Sequence, residues 1–566
     1  MHTNFPAPPV IGTLLMLVLN VSRVDAQTAA AAPAPVQLSR IEQAYADFND
    51  ADGAISLIDS DPQRYAASGY AGQSRAAWQR LYTDRRTAVL SGLAALAAAP
   101  APSAGDLRAA NLMHTAVAES SATASSLAPA GHCQDAQRQD LELQPLQEAL
   151  YACFAQLGNS LRFENGTVTR VAAFEMLTSL HEPRRREALF RAFLPLWTAL
   201  NGRDEENSPY RRMIRLAAAE ARRTGSPIDS AARTIGVTAA QTESWLERIL
   251  DTWSQVAGSA PMEPWDYRFA GGAAERELAA SIPRADLQSI CQRYYVDLGL
   301  DLAQAKVLYD LEPRPGKAPL AYTDYVRRGR WREGVWQPTL VRVSASYERG
   351  GLGPLNELVH ENGHAAHMLA LRVRPAFMDL GDPLFYEAFA DVPAWSVYEP
   401  AWQQKYLGRS ATVNASLRAL YSGVMLDVAW ALFDLRMLRD PGADPNGTWT
   451  QITQRYLHIK PHPELAWWAV RVQLIDKPGY MVNYGLGAVI TADIRQRIAQ
   501  QLGGFDTGDT RWFGWLAAHL LSFGEDRETS LLLRQFLGRA VSEQALLRDL
   551  QRVATKPAGS PPAGAG

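Results

Sequence analysis

Two histidines four residues apart, with a glutamate directly after the first, can hold a metal ion and activate water on it. His360, Glu361 and His364 stand in the string HENGHAAHM, an HExxH arrangement. On a helix, positions four apart share a face, so both imidazoles can take adjacent corners of a zinc tetrahedron while Glu361 points at the open corner. Downstream, FYEAFAD places Glu387 and Asp391 four apart on one face of a second helix. Glu387 can be the third ligand. Asp391 can accept the second ring N–H of a liganding histidine, fixing its tautomer and orientation. The pattern predicts one Zn2+ per chain, held by His360, His364 and Glu387, with Glu361 as general base. His367 lies one turn beyond His364, but a catalytic zinc keeps its fourth corner for water, so it is not counted as a ligand.

Both motifs need helices to position them. Pro354 follows Gly353 and suits a first helical turn, and Leu355, Leu358, Val359, Ala365, Ala366, Met368 and Leu369 continue an apolar run as far as Arg374-Pro375. Asp382-Pro383 reads as the start of the second helix. Ahead of them, Leu340 to Tyr347 has β-branched residues in partial alternation and reads as a strand leading into the zinc helix. From about residue 38 to 310 the chain is a succession of amphipathic and Ala-rich segments, among them Leu38–Phe48, Gln73–Ala99, Gly105–Leu127, Asp140–Leu157 and Arg170–Leu180. The fold class is therefore mainly α.

The spacing narrows the comparison. Twenty-two residues lie between His364 and Glu387, more than in the aminopeptidase and thermolysin types. HENGHAAH resembles the HEFGHxxH of the thimet oligopeptidase family, and FYEAFADVPAWSV resembles the EAxxD helix of the angiotensin-converting enzyme (peptidyl-dipeptidase) family. The resemblance implies a large two-lobed helical peptidase fold, with a small β element beside the zinc helix and a deep central channel that admits flexible peptides. It also implies that the strand in SASY347, at Ser344 and Ala345, adds the substrate backbone as an extra strand. Where the converting enzymes carry a substrate-binding histidine, this chain has Val343.

Further along, IDKPGYMVNYGLG places Tyr480 and Tyr484 four apart, beyond a Pro-Gly turn, on an expected helix. It is similar to the tyrosine-bearing segment of both families, where phenol hydroxyls donate to the oxyanion of the tetrahedral intermediate. The histidine that normally accompanies these tyrosines is missing: residues 471–477 read RVQLIDK, and the further tyrosine of the oligopeptidase pattern falls at Gly487. His458 and His462 are the nearest replacements. Arg471 and Lys477 are cations close enough in sequence to hold a peptide's C-terminal carboxylate.

Length and composition bound the remainder. The 566 residues carry 56 basic and 59 acidic side chains, so no basic field for nucleic acid exists. Residues 1–26 read as an export signal, with an apolar run from Val10 to Val21 before Val24-Asp25-Ala26; about a dozen apolar residues are too few to span a bilayer, which needs about 20. A periplasmic or secreted monomer with no further membrane contact is expected. In that compartment Cys133 and Cys153 can pair, leaving Cys291 buried, although three free thiols fit the sequence equally well. Residues 27–37 read as a flexible leader and 554–566 as a Pro/Gly/Ala tail, enclosing one domain over 38–553, in which the resemblance implies lid helices to 310 and the catalytic part from 311.

The function this predicts is hydrolysis of short unfolded peptides, with release of C-terminal dipeptides as one form. Three alternatives stand beside it. They are an endo-acting oligopeptidase, a pseudopeptidase that binds peptides without cutting them, and a helical protein whose HExxH is accidental.

Overall fold

The computed structural model describes residues 34–68, 72–97, 103–119, 133–202, 205–314, 317 and 321–554. The export-signal expectation, and the C-terminal-tail expectation beyond Ala554, lie outside these residues. The chain is mainly helical. Its elements around the HExxH stretch are taken here in chain order: helices α1 (Ala34–Ser60), α2 (Arg75–Ala97), α3 (Ala104–Glu119) and α4 (Leu143–Gly158), then strands β1 (Leu308–Asp310), β2 (Tyr322–Arg327) and β3 (Leu340–Ser344), then α5 (Leu352–Ala370), α6 (Pro383–Ala394), α7 (Val413–Arg439) and α8 (Val482–Leu502). Because α1 begins at Ala34, the expected leader is four residues too long at its C-terminal end.

Helix α5 is the centre of the molecule. It starts two residues before Pro354, at the left-handed Gly351, and has no capping side chain of its own. Glu275 supplies one from a distance, its carboxylate accepting the Gly353 N–H at 2.9 Å and placing negative charge at the positive end of the helix. From Leu358 to Ala370 every residue is buried, so α5 is enclosed on all sides, as its all-round apolar composition outside the motif residues requires. Helix α6 begins as its sequence suggests, with Pro383 in the first turn and the Asp382 side chain accepting the Leu384 N–H at 2.9 Å.

The two helices cross at Gly363. A Cβ there would lie 2.8 Å from the Ala390 Cα and 2.9 Å from the Ala390 carbonyl oxygen, both backbone atoms that cannot swing aside. Glycine is therefore what brings the face carrying Glu387 and Asp391 within reach of His360 and His364.

Beside α5 lies a three-stranded sheet in the order β1-β3-β2, with β3 parallel to β1 and antiparallel to β2. Strand alternation sends Thr323 and Val343 toward α5 and Asp324 and Arg342 toward α1. Arg342 is nearly sealed from solvent and pairs with Asp324 while donating to Ser56 and Ser60 of α1. The expected strand is thus present, but it is the middle one. Strand addition onto Ser344 and Ala345 is corrected on that ground: Ser344 pairs with both Asp310 and Tyr322, the Ala345 N–H donates to the Asp310 carbonyl, and its own carbonyl accepts from Lys317 Nζ. The outer strand on the Glu361 side is β2.

Helices α1, α2 and α3 share a small core of their own, in which Leu38, Ile41, Tyr45 and Phe48 meet Val89, Leu93, Met113 and Val117, with Phe377 as the contact to the body. Arg374 bridges Glu42 and Asp106, and Arg330 bridges Asp47 and Asp50 across the same junction. A second, much larger core runs without interruption from Ala136 to Val553. The division expected at residue 310 therefore does not coincide with a break in packing. Cys133 and Cys153 are joined in a disulfide, and Cys291 is free and buried. Closing this loop is worth roughly 3 kcal/mol on a chain-entropy estimate.

Replacing Gly363 with alanine forces the backbones of α5 and α6 apart. The expected cost is about 1–3 kcal/mol of stability, measured by urea denaturation, together with weaker retention of metal as the ligands separate.

Candidate metal centre

Helix geometry puts His360 and His364 on one face of α5, and the Gly363 crossing brings Glu387 of α6 against them. The two Nε2 atoms face each other at 3.1 Å, and the Glu387 Oε2 lies 3.4 Å from His360 Nε2 and 3.8 Å from His364 Nε2. Zinc bonds of about 2.0–2.1 Å in a tetrahedron require ligand atoms about 3.4 Å apart. The observed edges bracket that value. Among the described residues these three are the group whose ligand atoms converge closely enough, within 4.8 Å, to hold an ion.

The electrostatics fit the same group. His360 is buried, which opposes charge, yet the Asp391 and Glu387 carboxylates outweigh burial and raise its pKa well above the ordinary value. Its Nδ1 hydrogen-bonds the Asp391 Oδ1 at 2.8 Å, which leaves Nε2 as the ligand atom. Burial pushes His364 down to about 3, so it is a neutral imidazole at any working pH, as a ligand must be. The Glu387 Oε1 and the Glu361 Oε1 are buried without hydrogen-bond partners among the described residues. Such orphaned oxygens are costly unless a cation or water meets them.

Glu361 is held by a residue the sequence did not flag. Thr323 of β2 places its hydroxyl 2.8 Å from the Glu361 Oε2 and 2.9 Å from the Glu361 carbonyl oxygen. Burial pushes the Glu361 carboxyl up to about 8, against the opposing effect of His360 and the Thr323 hydrogen bond. Only the strand register, set by β3, brings Thr323 to this point.

A pocket opens in front of the triad, lined by Glu357, Trp395, Val424, Asp427, Tyr480 and Tyr484, with His360, Glu361, Glu387 and Asp391 at its base. Both tyrosines thus face the site, though only Tyr484 lies on a helix, since Tyr480 belongs to the turn that precedes α8. Burial is the main cause of a raised pKa for each phenol, and Glu387 adds to it, so both remain proton donors. Their rings meet edge to face at 6.0 Å. Where a histidine is missing from the sequence, Gln473 stands instead, its amide donating to the Tyr484 hydroxyl at 3.1 Å. The phenol proton is then left for another acceptor. His458 bonds the Ser254 carbonyl and His462 lies between Glu263 and Glu464; neither lines the pocket. His367 is buried against Phe385 and Phe389. Gly487 leaves the wall open where the oligopeptidase pattern has a tyrosine.

The two expected carboxylate anchors are placed differently from the expectation. Arg471 is buried in an ion pair with Asp427 and stacks over Trp430 at 4.6 Å, and the Lys477 ammonium lies 5.4 Å from the Tyr480 ring centroid. Among the described residues that line the pocket there is no Lys or Arg, whereas five carry carboxylates. Arg471 serves to neutralise Asp427 and to brace Tyr484, 5.5 Å from its ring.

Asp391→Asn removes the charge that holds His360 in its liganding tautomer. Zinc affinity is expected to fall about 10- to 100-fold, read by competition with a chromophoric chelator, while the circular dichroism spectrum stays unchanged.

No protein-family profile and no curated protein sequence matches this chain. Among solved structures, its fold matches the M32 carboxypeptidase from Deinococcus radiodurans R1 with a TM-score of 0.54, covering 92% of this chain and 98% of that one at 15% sequence identity. The chain therefore shares the mainly helical fold of that structure, with few residues in common, and the match does not single out the converting-enzyme or thimet oligopeptidase families.

Proposed function

We propose that this protein is a zinc metallopeptidase that hydrolyses short, unfolded peptides. The observation that carries the reading is the convergence of His360, His364 and Glu387 at tetrahedral spacing directly beside Glu361, in a pocket walled by Tyr480 and Tyr484. The carboxypeptidase fold supports it. Zinc bound to the triad would supply a Lewis acid that acidifies water and polarises the scissile carbonyl. Glu361 takes the water's proton and returns it to the leaving amine, with Thr323 holding the carboxylate in place meanwhile. Asp391 fixes the His360 ring. Tyr480 and Tyr484 donate to the developing oxyanion, which is worth about a hundred- to a thousandfold in rate for a single donor. No nucleophilic serine or cysteine is needed.

Cleavage within the peptide is a second form of the same activity, favoured by one observation. Among the described residues that line the pocket there is no Lys or Arg, and Arg471 is taken by Asp427, so the lining offers no basic side chain to a free C-terminus. The disulfide between Cys133 and Cys153 supports export, since such bonds persist in oxidising compartments. Among the described residues, no helix is long and apolar enough to cross a membrane.

Glu361→Gln is expected to retain zinc and to lose at least about a hundredfold in turnover, and a variant with wild-type turnover contradicts the assignment. Mass spectrometry of one short peptide, supplied as free acid and as C-terminal amide to the zinc-loaded protein, tests the reading itself. Internal cuts in both forms are expected from the pocket's charge. Trimming confined to the free acid establishes a carboxypeptidase or, where dipeptides are released, a peptidyl-dipeptidase, and uncut peptide with zinc confirmed present overturns the hydrolase reading.

A further inference from the structure

Helix α7 carries an acid that the reaction outlined above does not use. Asp434 has no solvent exposure, and its Oδ2 accepts two backbone N–H groups, from Gly479 at 2.8 Å and from Met481 at 3.1 Å. These are the residues on either side of Tyr480. Its Oδ1 has no hydrogen-bond partner among the described residues. Burying a carboxyl is expensive, and here every hydrogen bond it makes there goes to the turn that presents one phenol to the pocket. The turn is confined from the other side as well. Gly479 has a φ of +90°, and a Cβ on it would lie 2.6 Å from Pro227 Cγ and 2.9 Å from Leu438 Cδ1. The Tyr480 N–H is itself taken by the Lys477 carbonyl at 2.9 Å.

We propose that Asp434 is a positioning residue for peptide hydrolysis: by clamping the amides of Gly479 and Met481 it sets where the Tyr480 hydroxyl stands over the metal-ligand triad. The inference rests on the hydrolase reading and adds to it a residue about fifty positions upstream in the chain. Asp434 touches no substrate. Its effect runs wholly through Tyr480, and this separates it from an acid that merely stabilises the fold, because catalytic geometry is sensitive to displacements near 1 Å, which cost up to about a hundredfold.

The test is a double-mutant cycle on the full-length, zinc-loaded protein with a short peptide substrate, using Asp434→Asn, Tyr480→Phe and the double variant. Asp434→Asn is expected to lower kcat about ten- to a hundredfold with KM and zinc content little changed. In the Tyr480→Phe background the same substitution is expected to cost less than about twofold, since coupled residues are not additive. Asp434→Glu, which keeps the carboxyl group and shifts it by one methylene, gives the same comparison should the asparagine variant fold poorly. Hydrogen exchange of the Gly479 and Met481 amides reads the clamp without turnover and is expected to quicken in either variant. An equal loss in both backgrounds, or amides that exchange no faster, overturns the proposal while leaving the hydrolase reading intact. A wild-type protein that holds zinc and leaves peptides uncut overturns the hydrolase reading instead, and the catalytic role of Asp434 with it.

Discussion

The site depends on one close contact, the crossing of α5 over α6 at Gly363. Two imidazoles on one helix can supply only adjacent corners of a metal site, and the third ligand must come from elsewhere at a separation of a few ångströms. The backbone approach to Ala390 that glycine permits is what sets the 3.4 and 3.8 Å distances from Glu387 to the two histidines. Everything packed around this pair keeps it in register. Glu275 anchors the N-terminus of α5, Asp382 caps α6, and the sheet lies along one flank of α5 through Thr323 and the Tyr309 hydroxyl, which donates to Asn362 at 2.8 Å.

The second constraint is charge. His360, His364, Glu361, Glu387 and Asp391 are gathered where water is scarce, and carboxylates so placed repel one another unless a cation joins them. The protonation pattern reflects this. His360 is driven to hold a proton by Asp391 and Glu387 while His364, one turn on, is driven to lose one by burial. A divalent ion held by His360, His364 and Glu387 would resolve the conflict, taking the place of the proton on His360 Nε2 and offsetting the gathered carboxylates. The same accounting explains why Arg471 makes a poor carboxylate anchor: it answers Asp427, an acid that already lines the pocket.

Legibility divided along the chain according to distance. The zinc helix and the helix of Glu387 and Asp391 were readable because their signals are local: a four-residue spacing on a 3.6-residue helix, a proline in the first turn, an Asp cap. The mainly helical class followed from periodicity over hundreds of residues, and the Tyr480 and Tyr484 pair from its resemblance. The strand at Leu340–Ser344 was readable as a strand but not as the central one, because alternation reports which face a side chain occupies and says nothing of how many neighbours the strand has. For the same reason strand addition was placed on β3, when β1 and β2 are the outer strands. The division at 310 was one of expected roles within a single domain, and local sequence does not show that helices such as α4 join the same continuous core as the residues beyond it.

By itself, then, the sequence determined the helix class and nominated the three candidate ligands and the candidate general base, since each rests on spacing within one or two turns of helix. Only the tertiary structure decided what surrounds them. Thr323 on Glu361, Gln473 on Tyr484, Asp427 on Arg471 and Asp434 on the Tyr480 turn are pairings across 11 to 47 residues, and a contact at such range is set by how helices and strands pack, not by the residues that flank either partner. Spacing along a helix is local geometry that any reader of the chain can compute. Which acid meets which amide is settled by the packing of the whole core.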